Sequence, residues 1–386
     1  MMKRSILAVV ATTAAVVSFS CKKEKQPEPV LVSSAVEVTL GGSSATKAFG
    51  DDVAEDFEKE LHSLVIYVYE TGQDACVHGH VFTTYELGKQ KAVFNFSTMK
   101  ANTSYDFYAI ANCTPASLGS MPTRTALLAH GEGRGISEVG SVPIFGALTY
   151  YNDNNFELVT TQAKRSLGDQ KGFIMSGKTT VTTPAAGANI PTRVPIELRR
   201  TVAKVMVNIT TTPEFKNKYT EDSKIKFTKA ALINLTKNTT LAPREIEPNL
   251  AATDRRSDPL MQKSYEVVEY EHYQNLFFIY ENGWKKRPNE ATLLPELELE
   301  ALFALDGVIN EEKNIGLPIK YTIKLAGDAG SSTDETKDDF GFFKRNGSYL
   351  INVKVNGLTE NEIYATVEVM NWETLQTQDI TIGDKN

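Results

Sequence analysis

The chain has 386 residues, 41% of them hydrophobic and 23% charged, with a formal net charge of −7. A single core seldom grows past roughly 250 residues, so this length calls for two domains. Neutralising phosphates takes clustered Lys and Arg, and the sequence has no such stripe, which argues against nucleic acid or an anionic membrane surface as the main partner.

The start, Met1 to Arg4, is basic, and Ile6 to Phe19 is an apolar run that ends in small residues before Cys21. Crossing a bilayer takes about 20 apolar residues, so residues 1–20 read as a signal peptide and not as a membrane span. Val17-Ser18-Phe19-Ser20-Cys21 resembles a lipobox, with Ser18 where Leu is usual, and this makes Cys21 the expected site of lipidation. Lys22 to Pro29 is polar and contains two prolines. It cannot bury enough apolar surface to order itself and reads as a tether.

Val30, Val32, Val36, Val38 and Leu40 fall on one parity, interrupted only by Ser34. Period-two alternation predicts a strand with one buried face. The strand stops at Gly41-Gly42-Ser43-Ser44, and a polar loop continues through Lys47-Ala48-Phe49-Gly50. A flexible polar segment with a basic residue is where a trypsin-like protease cuts. Removing 1–47, with six basic and three acidic residues, takes the net charge from −7 to −10.

Leu61 to Tyr69, Ala92 to Phe96 and Ser104 to Ala111 are rich in β-branched and aromatic residues between turn-formers, and predict strands of an antiparallel sandwich. A short helix is expected over Thr123 to His130. The stretch Gly131-Glu132-Gly133-Arg134-Gly135 lacks the Gly-Lys-Ser/Thr ending of a phosphate-binding loop and a strand directly before it, so it reads as a plain loop. A second series of strands is expected at 194–210, 223–235, 276–280, 297–303, 319–325, 348–355 and 365–372, with Thr183 to Pro195 as the domain junction. Long helical periodicity is nearly absent, so the expected fold is mainly β, with two sandwiches in series.

For catalysis the sequence offers little. It has five histidines and no nucleophile-elbow, zinc or Rossmann motif, so no enzyme activity, catalytic residue, cofactor or metal is assigned. His78 and His80 have the spacing of two ligands on one face of a strand, but read as exposed hairpin histidines. The acidic run Asp328 to Asp339 lacks the ligand spacing of an EF-hand and reads as a solvated loop. Beyond Cys21 only Cys76 and Cys113 remain, enough for one disulfide at most.

Several segments together resemble the fimbrillin family of type V pili. Phe173-Ile174-Met175-Ser176-Gly177 is similar to the family's Pro-Met-Ser-Gly-like stretch, and Arg200-Thr201-Val202-Ala203-Lys204 resembles its Arg-x-x-Ala-Arg/Lys strand. Leu276 to Asn282, Lys344-Arg345-Asn346-Gly347-Ser348-Tyr349, and the closing Val367 to Trp372 resemble three further family segments. Lys47-Ala48-Phe49-Gly50 looks like the family's maturation site, with Lys47 in place of the usual Arg.

The resemblance implies a mainly β chain of two transthyretin-like β-sandwich domains in series with little helix. It divides into a signal peptide (1–20), a lipidated propeptide carrying the first strand (21–47), an N-terminal domain (48–193) and a C-terminal domain (194–386). It implies a surface pilus subunit for adhesion, exported as a lipoprotein and anchored to the outer membrane through Cys21. Cleavage between Lys47 and Ala48 by a protease of Arg/Lys specificity would release the strand carrying Val30, Val32, Val36, Val38 and Leu40. A donor strand, Trp372 to Ile382 with Trp372, Leu375, Ile380 and Ile382, would refill the gap from the next copy by β-augmentation. The partners implied are other copies of the chain, accessory, tip and anchor pilus subunits, and no nucleic acid. The alternative is a surface lipoprotein adhesin or pilus anchor that keeps its lipid and never polymerises.

Overall fold

The computed structural model describes residues 30–32, 34–40, 64–82, 99–111, 123–129, 131–132, 174–187, 192–235, 239–240, 259–280, 295–313, 315–325, 343, 345–359 and 363–370. In chain order the first part contains β1 (Leu31–Val32), β2 (Ser34–Leu40), β3 (Leu64–Glu70), β4 (Cys76–Phe82), β5 (Met99–Lys100), β6 (Ser104–Ala111), α1 (Arg124–Ala129), β7 (Gly131–Glu132), β8 (Met175–Thr182) and β9 (Thr192–Arg200). The second part contains β10 (Val202–Thr211), α2 (Pro213–Lys218), β11 (Lys224–Ile233), β12 (Thr239–Thr240), β13 (Leu260–Lys263), β14 (Tyr265–Val268), β15 (His272–Tyr280), β16 (Glu296–Ala304), β17 (Leu317–Lys324), β18 (Ser348–Val355) and β19 (Ile363–Met370). The protein is mainly β, as its alternating sequence predicts.

The N-terminal part is built on a six-stranded sheet of order β2-β9-β8-β6-β3-β4. Strand β3, next to the edge strand β4, is buried on both faces. Leu64, Ile66 and Val68 pack with Phe107, Met175 and Val194 on one side, while Val65, Tyr67 and Tyr69 pack with Tyr108, Ile110 and Leu127 of α1 on the other. This is why its sequence is a continuous apolar run and does not alternate.

The C-terminal part is a sandwich of a five-stranded sheet, β14-β15-β10-β18-β19, and a four-stranded sheet, β13-β11-β16-β17. One core lies between them, with Val205, Val207, Ile209, Phe277 and Ile351 facing Ile225, Phe227, Leu299 and Tyr321. Strand β16 shows the underlying rule. Leu297, Leu299, Ala301 and Phe303 point inward while Glu296, Glu298 and Glu300 are partly exposed, so a slip of one residue would bury three carboxylates. Helix α2 starts with Pro213, where a missing N–H does no harm, and inserts Phe215 against the edge of Phe303 with ring centroids 6.0 Å apart.

Three expectations change. The run 194–210 is two strands, separated by a bend at Thr201. Val194, Ile196 and Leu198 pack into the N-terminal core, whereas Val205, Val207 and Ile209 pack into the C-terminal one. The chain changes sheets at Thr201. Strands β4, β8, β13 and β14 were not expected: the apolar alternation of β4 and β8 is broken by His, Gly, Lys and Thr, and β13 and β14 are only four residues each. Gly131-Glu132, read as a plain loop, forms a two-residue ladder with Thr239-Thr240 and ties the two parts together.

Candidate assembly interface

Residues 31–40 form the edge of the N-terminal part, and they belong to two sheets. β1 pairs antiparallel with β5, setting Val32 opposite Met99. Further along, β2 pairs parallel with β9, setting Val36, Val38 and Leu40 opposite Val194, Ile196 and Leu198. Those three partners and Met99 are each at most 1% exposed. Val30, by contrast, is 54% exposed and Leu31 is 51% exposed, so this end of the strand lies outside the core.

The walls of this site have their own support. In β5 the Lys100 N–H donates to the Tyr105 hydroxyl at 2.9 Å, and the Lys100 carbonyl accepts from Thr183 Oγ1 at 2.6 Å. Lys100 Nζ donates to the Glu70 carboxylate at 2.8 Å, and this hydrogen bond raises the lysine above its usual pKa. Strand β9 is held differently. Its ladder with β8 is limited to Met175↔Arg200 and Ser176↔Arg199, whereas all of 192–198 pairs with β2. Gly177 lets β8 and β9 converge beyond their ladder, since a Cβ on it would lie 2.2 Å from the Glu197 carbonyl oxygen. The Met-Ser-Gly stretch singled out in the sequence thus has a steric reason.

The other sequence segments meet at the joint between the two parts. Arg200 is buried, and both its backbone N–H and its guanidinium Nη1 donate to Asn346 Oδ1 at 3.1 Å. Asn346 adopts φ +59°, a left-handed conformation that Asn tolerates, and its N–H donates to the Val202 carbonyl at 2.7 Å. The Thr201 N–H and hydroxyl both reach the Ile174 carbonyl, at 3.0 and 3.2 Å. Arg345 Nη1 lies 3.4 Å from Ser176 Oγ. The segments at 174–177, 200–204 and 345–347, far apart in sequence, form one contact.

His78 is half-buried, and burial lowers its pKa, so the expectation of an exposed hairpin histidine is not met there. Among the described residues no group of three His, Cys, Asp or Glu side chains comes together in a way that could hold a metal. Cys76 is a free thiol, and its S–H donates to the His78 carbonyl at 3.0 Å. Sequence reading missed Asp106, a buried carboxylate that accepts from Arg124 at 3.1 Å and Thr180 at 2.6 Å. It fixes α1 to the sheet. The alternation of β6 could have flagged it as an acid at an inward position.

The signal segment 1–20, Cys21, Lys47, Ala48, Cys113, the strand expected at 92–96, the run 328–339, and the proposed donor residues Trp372, Leu375, Ile380 and Ile382 lie outside the described residues. Strand β19, which precedes the donor segment, forms an edge of the five-stranded sheet.

No protein-family model matches the chain, and no curated protein matches its sequence. Solved structures do match in fold. A "putative cell adhesion protein" from Parabacteroides distasonis is 13% identical, with 90% of this chain and 98% of that one covered at a TM-score of 0.54. The fold is that of this protein. A second protein of the same description, from Bacteroides eggerthii, is 13% identical over 88% of this chain and 96% of that one, at a TM-score of 0.50. The tip fimbrial protein Mfa3 from Porphyromonas gingivalis is 15% identical, covering 88% and 100%, at a TM-score of 0.48.

Proposed function

We propose that the chain is the precursor of a surface pilus subunit, exported as a lipoprotein through Cys21, cut after Lys47, and polymerised when a strand from another copy replaces residues 31–40. The observation that supports this most is the edge strand shared between two sheets. Its departure leaves the backbone of 192–198 without its ladder, beside the buried Val194, Ile196 and Leu198, and leaves Met99 without its strand partner Val32. Unpaired backbone and bare apolar surface are both costly in water, so the vacated site favours refilling.

The fold shared with proteins described as cell adhesion proteins agrees with a place at the cell surface. In this reading the protein is a structural component and not an enzyme. Donor segment and acceptor site are different parts of the chain, so the contact between copies is heterologous and an open filament follows.

Replacing Lys47 tests the reading. Cells carrying Lys47→Ala should lose surface filaments and retain the full precursor with its acyl chains, whereas filaments sheared from cells with the natural chain should contain subunits beginning at Ala48. Continued polymerisation of Lys47→Ala would refute it.

A further inference from the structure

The segment that would enter the site repeats the sequence of the strand it would displace. Glu37-Val38-Thr39-Leu40-Gly41 is matched position by position by Asp379-Ile380-Thr381-Ile382-Gly383: acid, β-branched, threonine, large aliphatic, glycine. In the structure, Val38 and Leu40 sit opposite the buried Ile196 and Leu198, while Glu37 and Thr39 sit opposite the exposed Pro195 and Glu197. The acidic and hydroxyl positions of the motif are thus opposite the solvent side of β9, and its aliphatic positions are opposite the core side.

We propose that residues 378–382 of a second copy take the place of 36–40 in a single register, parallel to β9, with Ile380 against Ile196 and Ile382 against Leu198. This inference rests on the strand-replacement reading above and adds its direction and alignment. A slip by one residue puts Asp379 and Thr381 on the apolar side. A slip by two in one direction sets the Asp384 carboxylate against Leu198, where burial without a partner is unfavourable. A slip by two in the other direction leaves Ile380 as the only aliphatic plug. In the proposed register Trp372 falls at the place of the exposed Val30 and Leu375 at the place of Ser33. The two isoleucines are then the side chains that seal the core.

Paired cysteines read the register directly, because opposed residues on neighbouring strands lie about 4.8 Å apart, within the Cα separation of roughly 4.4–6.8 Å that a disulfide spans. Full-length precursors carrying Glu197→Cys with Thr381→Cys, or Pro195→Cys with Asp379→Cys, are cleaved, assembled and oxidised. Either pair should give a ladder of covalent multimers on a non-reducing gel, and the Thr381→Cys single variant should give none. A ladder from Pro195→Cys with Thr381→Cys alone, or filaments of both in-register pairs without a ladder, overturns the register and leaves strand replacement standing. Failure of the cleaved, unsubstituted protein to form filaments overturns both.

Discussion

Gly177 and His78 show how much single positions decide. A methyl group at Gly177 meets the Glu197 carbonyl, which is backbone and cannot swing aside. Gly177→Ala should therefore push β9 away from β8 and destabilise the N-terminal part by about 1–3 kcal/mol, the usual range for overpacking. Urea unfolding followed by aromatic fluorescence would measure it, and an unchanged midpoint would mean the strands relax freely. At His78, burial favours the neutral imidazole and lowers the pKa from 6.5. The unfolded chain binds the proton more readily, so the contribution of His78 is complete above pH 6.5 and is lost as pH falls through the lower folded value. His78→Gln should flatten the loss of stability between neutral and mildly acidic pH, seen as a smaller drop in Tm.

Among elements, β9 is the one whose fate depends on its neighbour. Its residues 192–198 pair with β2, and its ladder with β8 begins only at Arg199. β5 keeps its bonds to Tyr105 and Thr183 whether or not β1 is present. Removing residues 1–47 should therefore raise amide exchange over Val194 to Leu198 at least tenfold, with β10 and β18 unchanged, and assembly should restore protection. Hydrogen exchange read by mass spectrometry on precursor, cleaved monomer and filament would show it; equal protection in all three would mean β2 is dispensable. Strands such as β6 and β18 were legible in the sequence because β6 is a run of aromatic and aliphatic residues, β18 alternates, and both are bounded by turn-formers. The change of sheet between Val32 and Ser34 was not, because the apolar parity continues across it and only the neighbours change, and at Thr201 the one local sign is a shift of inward parity from Val194, Ile196 and Leu198 to Val205, Val207 and Ile209. The motif residues were visible as text, but their meeting at one joint depends on contacts between residues more than 140 apart, which no local pattern encodes.

For the whole molecule, that joint decides whether the two parts behave as one body. The covalent link at Thr201 is a single bend, and among the described residues coupling comes from Arg200 and Asn346, from Thr201 on Ile174, from Arg345 on Ser176, and from the short β7–β12 ladder. The Arg200 charge is buried, and taking away the Asn346 acceptor removes two of the hydrogen bonds that offset its desolvation. Asn346→Ala should lower stability by about 2–4 kcal/mol by this reasoning, and it also places a residue less tolerant of positive φ at +59°. Asn346→Gly relieves the backbone conformation while still removing the acceptor, so comparing the two separates strain from lost bonding. The natural protein should unfold in one calorimetric transition, and both variants should resolve two, because each part retains its own core. A single transition in the variants would mean that the two cores are coupled by contacts other than Arg200 and Asn346. In a filament, tension entering at β9 must cross this bend to reach β10 and then β18 and β19, which precede the donor segment. An uncoupled joint would therefore stretch at lower force even with every strand in place.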